Sequence, residues 1–179
     1  MYLVSLNDGG KEFVDPYVSK QLYVSLVRPI LEYGSVVWDP QYEIHINKIE
    51  SVQKQFLLFS LRNLQWNPNI NLPPYESRLQ LIDLPTLESR RKFTNIAFIL
   101  NLLNGSINSE FLIHKLQFVV PIRPTRFYIP LKLQYFHSNY ANADPIRRAC
   151  DQFNNIYPYI DVTSNPNCIK RIILNLFNN

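Results

Sequence analysis

The sequence predicts a mostly α fold: a helical bundle-like domain, an irregular Pro/aromatic segment and a C-terminal helical tail. Three observations carry that expectation. Asp-Pro or Asn-Pro pairs recur at 15–16, 39–40, 144–145 and 165–166, each offering a side-chain acceptor at a helix cap and a proline at the first helical position. Apolar residues then return with the 3.6-residue period of amphipathic helices. Between the two groups of helices, over 117–140, prolines at 121, 124 and 130 alternate with Arg123, Arg126 and aromatic residues, a pattern that reads as extended, irregular chain.

Taken in order, an irregular lead-in over 1–10 precedes Asp15-Pro16. The helix that follows has Tyr17, Val18, Leu22, Tyr23, Leu26, Val27, Ile30 and Leu31 as its apolar residues. Pro29 is expected to kink it one turn before its end, and Gly34 to terminate it. Asp39-Pro40 opens the next segment, in which Ile44, Ile46, Ile49, Val52, Gln53, Phe56, Leu57, Phe59 and Ser60 keep helical spacing to about 64. A loop rich in Asn and Pro covers 65–74, and a short helix fits 75–82. The strongest helix spans 86–104, with Leu87, Phe93, Ile96, Ala97, Leu100 and Leu103 on one face and Glu88, Arg90, Arg91 and Lys92 on the other; Gly105 closes it. A short helix at 109–116 leads into the irregular segment, which has room for a short hairpin, and two helices follow at about 146–156 and 166–177. The expected organisation is therefore a lead-in (1–10), a helical body (11–116), a connector (117–140) and a helical tail (141–179).

A chain of 179 residues has the length of one domain, or one domain with a tail, and 46% hydrophobic residues suffice for a core. Only 18% are charged, which argues against a disordered polyelectrolyte. The net charge of +4 suits a partner with phosphates without approaching a histone-like excess. Cys150 and Cys168 share no metal-type spacing with each other or with His45, His114 and His137, and read as free thiols in a reducing compartment. No signal peptide or membrane-length apolar run is visible, so a soluble intracellular protein is expected, with nucleus or cytoplasm left open.

Catalytic constellations are missing from the pattern. Two-metal nucleotidyl transfer needs gathered carboxylates, commonly an adjacent Asp pair, and the aspartates at 8, 15, 39, 83, 144, 151 and 161 are never adjacent. Helix capping accounts for Asp15, Asp39 and Asp144, and more loosely for Asp83. Four glycines leave no room for a phosphate loop, and there is no Gly-x-Ser-x-Gly elbow. Cys150, beside Arg148, reads as a buried structural thiol. No catalytic residue, metal site or cofactor is expected.

Basic pairs are more suggestive. Arg90-Arg91-Lys92 lies in the first turns of the strongest helix, where the helix dipole also favours anions, and Arg147-Arg148 lies in the first turn of a later one. Arg123 and Arg126 punctuate a stretch with Phe127, Tyr128, Tyr135 and Phe136. Arginines beside exposed rings are what a single-stranded or hybrid nucleic-acid path uses. The alternative is that the arginines form salt bridges over a helical surface, Glu88 with Arg91 or Lys92 among them, while the rings fill a core.

One ordered set of residues adds to this. Leu26-Val27-Arg28-Pro29-Ile30-Leu31-Glu32-Tyr33-Gly34-Ser35-Val36-Val37-Trp38-Asp39-Pro40 resembles the segment downstream of the catalytic palm in non-LTR (LINE-like) retrotransposon reverse transcriptases of the Jockey and I type. Ile49-Glu50-Ser51-Val52-Gln53, Tyr75-Glu76-Ser77-Arg78-Leu79, Leu84-Pro85-Thr86-Leu87-Glu88-Ser89-Arg90-Arg91 and Asn139-Tyr140-Ala141-Asn142-Ala143-Asp144-Pro145-Ile146-Arg147-Arg148 resemble later blocks in the same order. The resemblance covers about residue 11 to the C-terminus.

It implies a thumb-like and post-thumb region of an RNA-directed DNA polymerase, without the palm's paired aspartates and hence non-catalytic here. The implied partners are an RNA–DNA hybrid or RNA template, bound weakly and without sequence preference, and the palm of the parent polymerase. Arg28, Pro29, Tyr33, Gly34 and Trp38 match the first motif and are expected to be structural. Tyr33 and Trp38 are expected to pack the turn at Gly34, and Arg90, Arg91, Lys92, Arg123, Arg126, Arg147 and Arg148 are the candidate nucleic-acid contacts. Two other readings stay open: a protein-interaction module that self-associates through an apolar face, and the inert product of a degenerate reading frame.

Overall fold

The computed structural model describes residues 15–62, 73–120, 128–135, 137–138, 141, 143–160, 169 and 171–173. Of these residues 71% are helical and none lies in a strand, so the mostly α expectation holds. The chain divides into two compact units. The first runs to Tyr33 and resumes over Ile44–Thr86; the second takes Gly34–Glu43 and everything from Leu87 onward.

In the first unit, α1 (Pro16–Leu22) starts as its sequence predicts: the Asp15 side chain accepts the Tyr17 N–H at 2.8 Å, and proline occupies the first turn. The kink expected at Pro29 takes the form of a π turn over Tyr23–Val27, continuing into α2 (Arg28–Glu32). Pro29 has no N–H to give, and its ring presses on the carbonyl four residues back. The wider turn, in which Arg28 N–H reaches Tyr23 O, removes that conflict. After α4 (Glu43–Arg62) and α5 (Tyr75–Ile82), Asp83 adopts a left-handed φ of 54°. Leu84 N–H bonds back to Leu79 O at 3.0 Å, and both leucines are buried, which closes the helix as a Schellman end with its apolar contact.

Tyr23, Leu57, Leu61, Leu79, Ile82 and Leu84 form the core of this unit, with Phe56 stacked on Tyr23 at 4.2 Å between ring centroids. Gln53, fully buried on α4, is its polar hub. It accepts from the Tyr23 hydroxyl (2.8 Å) and donates to Pro85 O (2.9 Å) and the Tyr75 oxygen (3.2 Å). Tyr75 in turn donates to Glu50, and burial together with that bond pushes its phenol far above its ordinary pKa. Gln53→Leu is expected to destabilise this unit by about 1–3 kcal/mol, because the Tyr23 hydroxyl and Pro85 carbonyl lose their partner in a buried site. Urea unfolding monitored by circular dichroism checks the value.

The second unit opens at Gly34, whose φ of +63° starts the short α3 (Ser35–Trp38). A side chain there meets only ordinary contact with the Trp38 indole at 3.9 Å, so backbone conformation rather than space selects glycine. α6 (Leu87–Leu103) is closed by Gly105 at φ +71°, and α7 (Glu110–Lys115) follows. An isolated antiparallel bridge pairs Phe118 with Leu131, the hairpin-like contact the sequence has room for. α8 (Pro145–Ile156) begins at Asp144, whose carboxylate accepts the Ile146 and Arg147 N–H groups at 3.1 Å each.

The core gathers Ile96, Ile99, Leu100 and Leu102 of α6, Ala149, Cys150, Phe153 and Ile156 of α8, and Leu116, Leu131, Ile160, Ile169 and Ile173. The division of the chain therefore departs from the expected one. The body expected over 11–116 is split after Thr86, and the connector and tail are not separate: Leu131, Ile169 and Ile173 pack in the same core as α6. Most of the helix expected at 166–177 lies outside the described residues, although Ile169 and residues 171–173 are helical. No helix among the described residues is long and apolar enough to cross a membrane.

Candidate functional site

Two assemblies of charge and polarity stand out, both within the second unit. One is buried. Leu87, Arg91 and Asn95 are four residues apart on α6 and share the face turned into the core. Arg91 is 1% exposed, and its Nε lies 2.8 Å from Asp39 Oδ1. Asn95 Nδ2 donates to Asp39 Oδ2 (3.1 Å) and to Gln152 Oε1 of α8 (3.0 Å). Arg148 approaches the same carboxylate at 3.6 Å and donates to Val36 O at 2.7 Å. Burial lowers the Arg148 pKa from its ordinary value, and Asp39 opposes that shift. One buried carboxylate thus ties the segment after α3 to both α6 and α8.

The other assembly is an open groove of about 780 Å³ between α7, the bridged segment and the start of α8. The bridge builds one wall. Lys132 N–H bonds to Gln117 O at 2.8 Å and Val119 N–H to Pro130 O at 2.9 Å, while Asn154 on α8 clasps Leu131 by accepting its N–H and donating to its carbonyl. With Leu131 fixed inward, the alternation of extended chain turns Lys132 outward. Lys115, at the end of α7, and Arg147, in the first turn of α8, complete the cationic lining, with His114 beside them; among the described residues Asp144 is the one carboxylate in it.

Two exposed rings stand beside these cations, although neither lines the groove itself. Arg147 lies over the Tyr135 ring, 5.1 Å from its centroid, with its Nε donating to Gln134 O at 2.7 Å. Lys115 Nζ lies 4.7 Å from the Phe111 centroid. Among the described residues, neither Lys115 nor Lys132 has an ion-pair partner. Lysine and arginine side chains beside exposed rings are the combination that phosphate and flat apolar surface together would favour.

The residues singled out from the sequence separate accordingly. Arg147 lines the groove. Arg91 and Arg148 do not reach solvent as surface cations, because both point to Asp39. Arg90 and Lys92 are partly exposed on α6, Lys92 paired with Glu88 at 2.7 Å as the alternative reading allowed. The cluster Arg90-Arg91-Lys92 is therefore not a single cationic face: 91 lies on the core side of the helix that 90 and 92 flank. Arg123 and Arg126 lie outside the described residues.

Of the motif residues, Arg28 lies 3.8 Å from Glu32, Pro29 follows the π turn and Gly34 makes the left-handed turn. Tyr33 and Trp38, expected to pack the turn, are both exposed, at 84% and 41%. The Asp39 side chain is an ion-pair centre rather than the expected cap at a helix start, while its backbone N–H closes α3 on Ser35 O. Cys150 is buried as expected, which pushes its thiol up to about 11.

Lys115, Lys132, Asn95 and Asn154 were not singled out from the sequence. The two asparagines leave a trace there, as polar residues at core-facing helical positions, and Lys132 leaves one in the alternation Leu131-Lys132-Leu133. No group of three or more His, Cys, Asp or Glu among the described residues is placed to hold a metal. Compared with known protein families, curated proteins and solved structures, the chain matches none.

Proposed function

We propose that the chain is a helical nucleic-acid-binding region, resembling the thumb-like part of a non-LTR retrotransposon reverse transcriptase, and that it binds through the groove of its second unit. The single observation that supports this best is the set of cations lining that groove, Lys115, Lys132 and Arg147, two of which lie against exposed rings beside it: Lys115 against Phe111 and Arg147 against Tyr135. Lysines and arginines neutralise phosphates and release counterions, while rings add contact with bases that does not depend on sequence. Binding of this kind is weak, salt-sensitive and non-catalytic. The ordered motifs from Leu26 to Arg148 supply the family resemblance.

The test is fluorescence anisotropy of labelled RNA and RNA–DNA hybrid with the full chain and with Lys115→Ala/Lys132→Ala. Neither lysine is buried in the core, so the variant keeps its fold. The expected result is binding that weakens with salt and drops at least tenfold in the variant. Equal binding by both proteins, or none by a folded protein at low salt, overturns the proposal.

A second reading rests on the first unit, where Val18, Leu22, Leu26 and Ile30 follow at four-residue spacing and are all exposed. Such an apolar row suits a protein-interaction module. A concentration-dependent dimer in sedimentation, with no nucleic-acid binding, favours that reading over the groove.

A further inference from the structure

We infer that the groove takes an unpaired nucleic-acid strand in preference to a duplex, with one base stacked on Tyr135, which stands at the groove's edge next to Gln134 and against Arg147, both of which line it. This deepens the nucleic-acid reading of the same groove and rests on it.

The size of the site is the first reason. A groove of about 780 Å³ falls within the roughly 300–1,000 Å³ that encloses a drug-sized ligand. It has room for a nucleotide or two with their bases turned in. A duplex keeps its bases paired inside, and can offer this groove only phosphates along the rim.

The rings are the second reason. Tyr135 is 85% exposed, although a tyrosine with nothing to contact is an unfavourable use of apolar surface. Arg147 lies over the ring, and the high exposure leaves the opposite face open to solvent. An aromatic face backed by a cation is a ready platform for a base, and only an unpaired strand or a frayed end has base faces to give it. The platform is also pre-set. Arg147 is fixed at the first turn of α8 and anchored to Gln134 O, so its guanidinium is ordered before any ligand arrives. Phe111, 68% exposed beside Lys115, repeats the combination on the opposite element. Lys132 supplies charge for the backbone that follows the stacked base.

The experiment compares a short RNA carrying 2-aminopurine with the same RNA paired to DNA, using the full chain and the variants Tyr135→Leu and Tyr135→Phe. The expected result is tenfold or tighter preference for the single strand, with 2-aminopurine fluorescence quenched on binding. Tyr135→Leu is expected to weaken single-strand binding about fivefold to a hundredfold and to relieve the quenching. Tyr135→Phe, which keeps the ring, is expected to restore both. Hybrid binding equal to single-strand binding, or a Tyr135→Leu protein that binds as well as the original, overturns the inference. If Lys115→Ala/Lys132→Ala still weakens binding at least tenfold in that case, the groove reading stands and only the strand preference falls. If the original protein binds neither probe, both fall.

Discussion

Replacing Asp39 by alanine is expected to destabilise the second unit by about 3–5 kcal/mol, the range found when one partner of a buried ion pair is removed. Two arginines share this carboxylate, Arg91 at 2.8 Å and Arg148 at 3.6 Å, and Asn95 donates to it as well. Without it the buried Arg91 guanidinium loses its anion, and Arg148, also buried, keeps only the more weakly acting Asp144. Arg91, 1% exposed, cannot reach water without opening the contact between α6 and the segment after α3. The pair Lys92–Glu88 makes a useful contrast. It is shorter, at 2.7 Å, yet both side chains are solvated, and its loss is expected to cost only a few tenths of a kcal/mol. Burial, not distance, decides which pair matters. Guanidinium unfolding of the Asp39→Ala and Glu88→Ala chains measures both, and a loss below about 1 kcal/mol for Asp39→Ala contradicts the account of the buried cluster.

Phe153→Ala is expected to cost about 3–5 kcal/mol as well, for a different reason. Its ring is buried among α6 and α8 residues and leans on Tyr157 at 5.8 Å between centroids; Tyr157 meets Tyr128 edge-on at 5.6 Å. Tyr128 donates to Val119 O at 2.6 Å, so this chain of rings joins the core to the bridged segment. Removing the ring leaves a cavity in the middle of that path. The loss is expected to loosen the wall that carries Lys132, and therefore to weaken RNA binding at temperatures well below unfolding. Denaturant titration gives the stability change, and a loss under about 1 kcal/mol would mean that the core is not built around this residue.

Much of the helical framework was legible in the sequence because its signals are local. Asp15 and Asp144 cap their helices as their Asp-Pro pairs indicate, the short helix falls on Tyr75–Ile82, and Gly34 and Gly105 stand at left-handed turns. The misplaced boundary is a long-range matter. Asp39 carries the same Asp-Pro signature, and its contacts with Arg91, Asn95 and Arg148, 52 or more residues on, tie the segment around it to the second unit. Arg91 departs from its expected place on the polar face for the same reason. A helix pattern places a charged residue on the polar face by default, and a buried carboxylate that turns it inward is invisible to periodicity. The groove was legible only in part. Arg147 and Tyr135 lie near each other in sequence and were noticed, whereas Lys115 and Lys132 are brought to one site by the Phe118–Leu131 bridge, which no local pattern announces.

The most direct test of the central claim is the salt dependence of binding to a short single-stranded RNA, compared between the original chain and Lys115→Ala/Lys132→Ala. Three groove cations engaging phosphates give a slope of log affinity against log salt of about −2, at roughly 0.7 per phosphate on a single strand. With Arg147 alone remaining, the slope is expected to shrink to about −0.7. A slope that is the same in both proteins would place the phosphate contacts elsewhere on the chain and contradict the assignment of this groove.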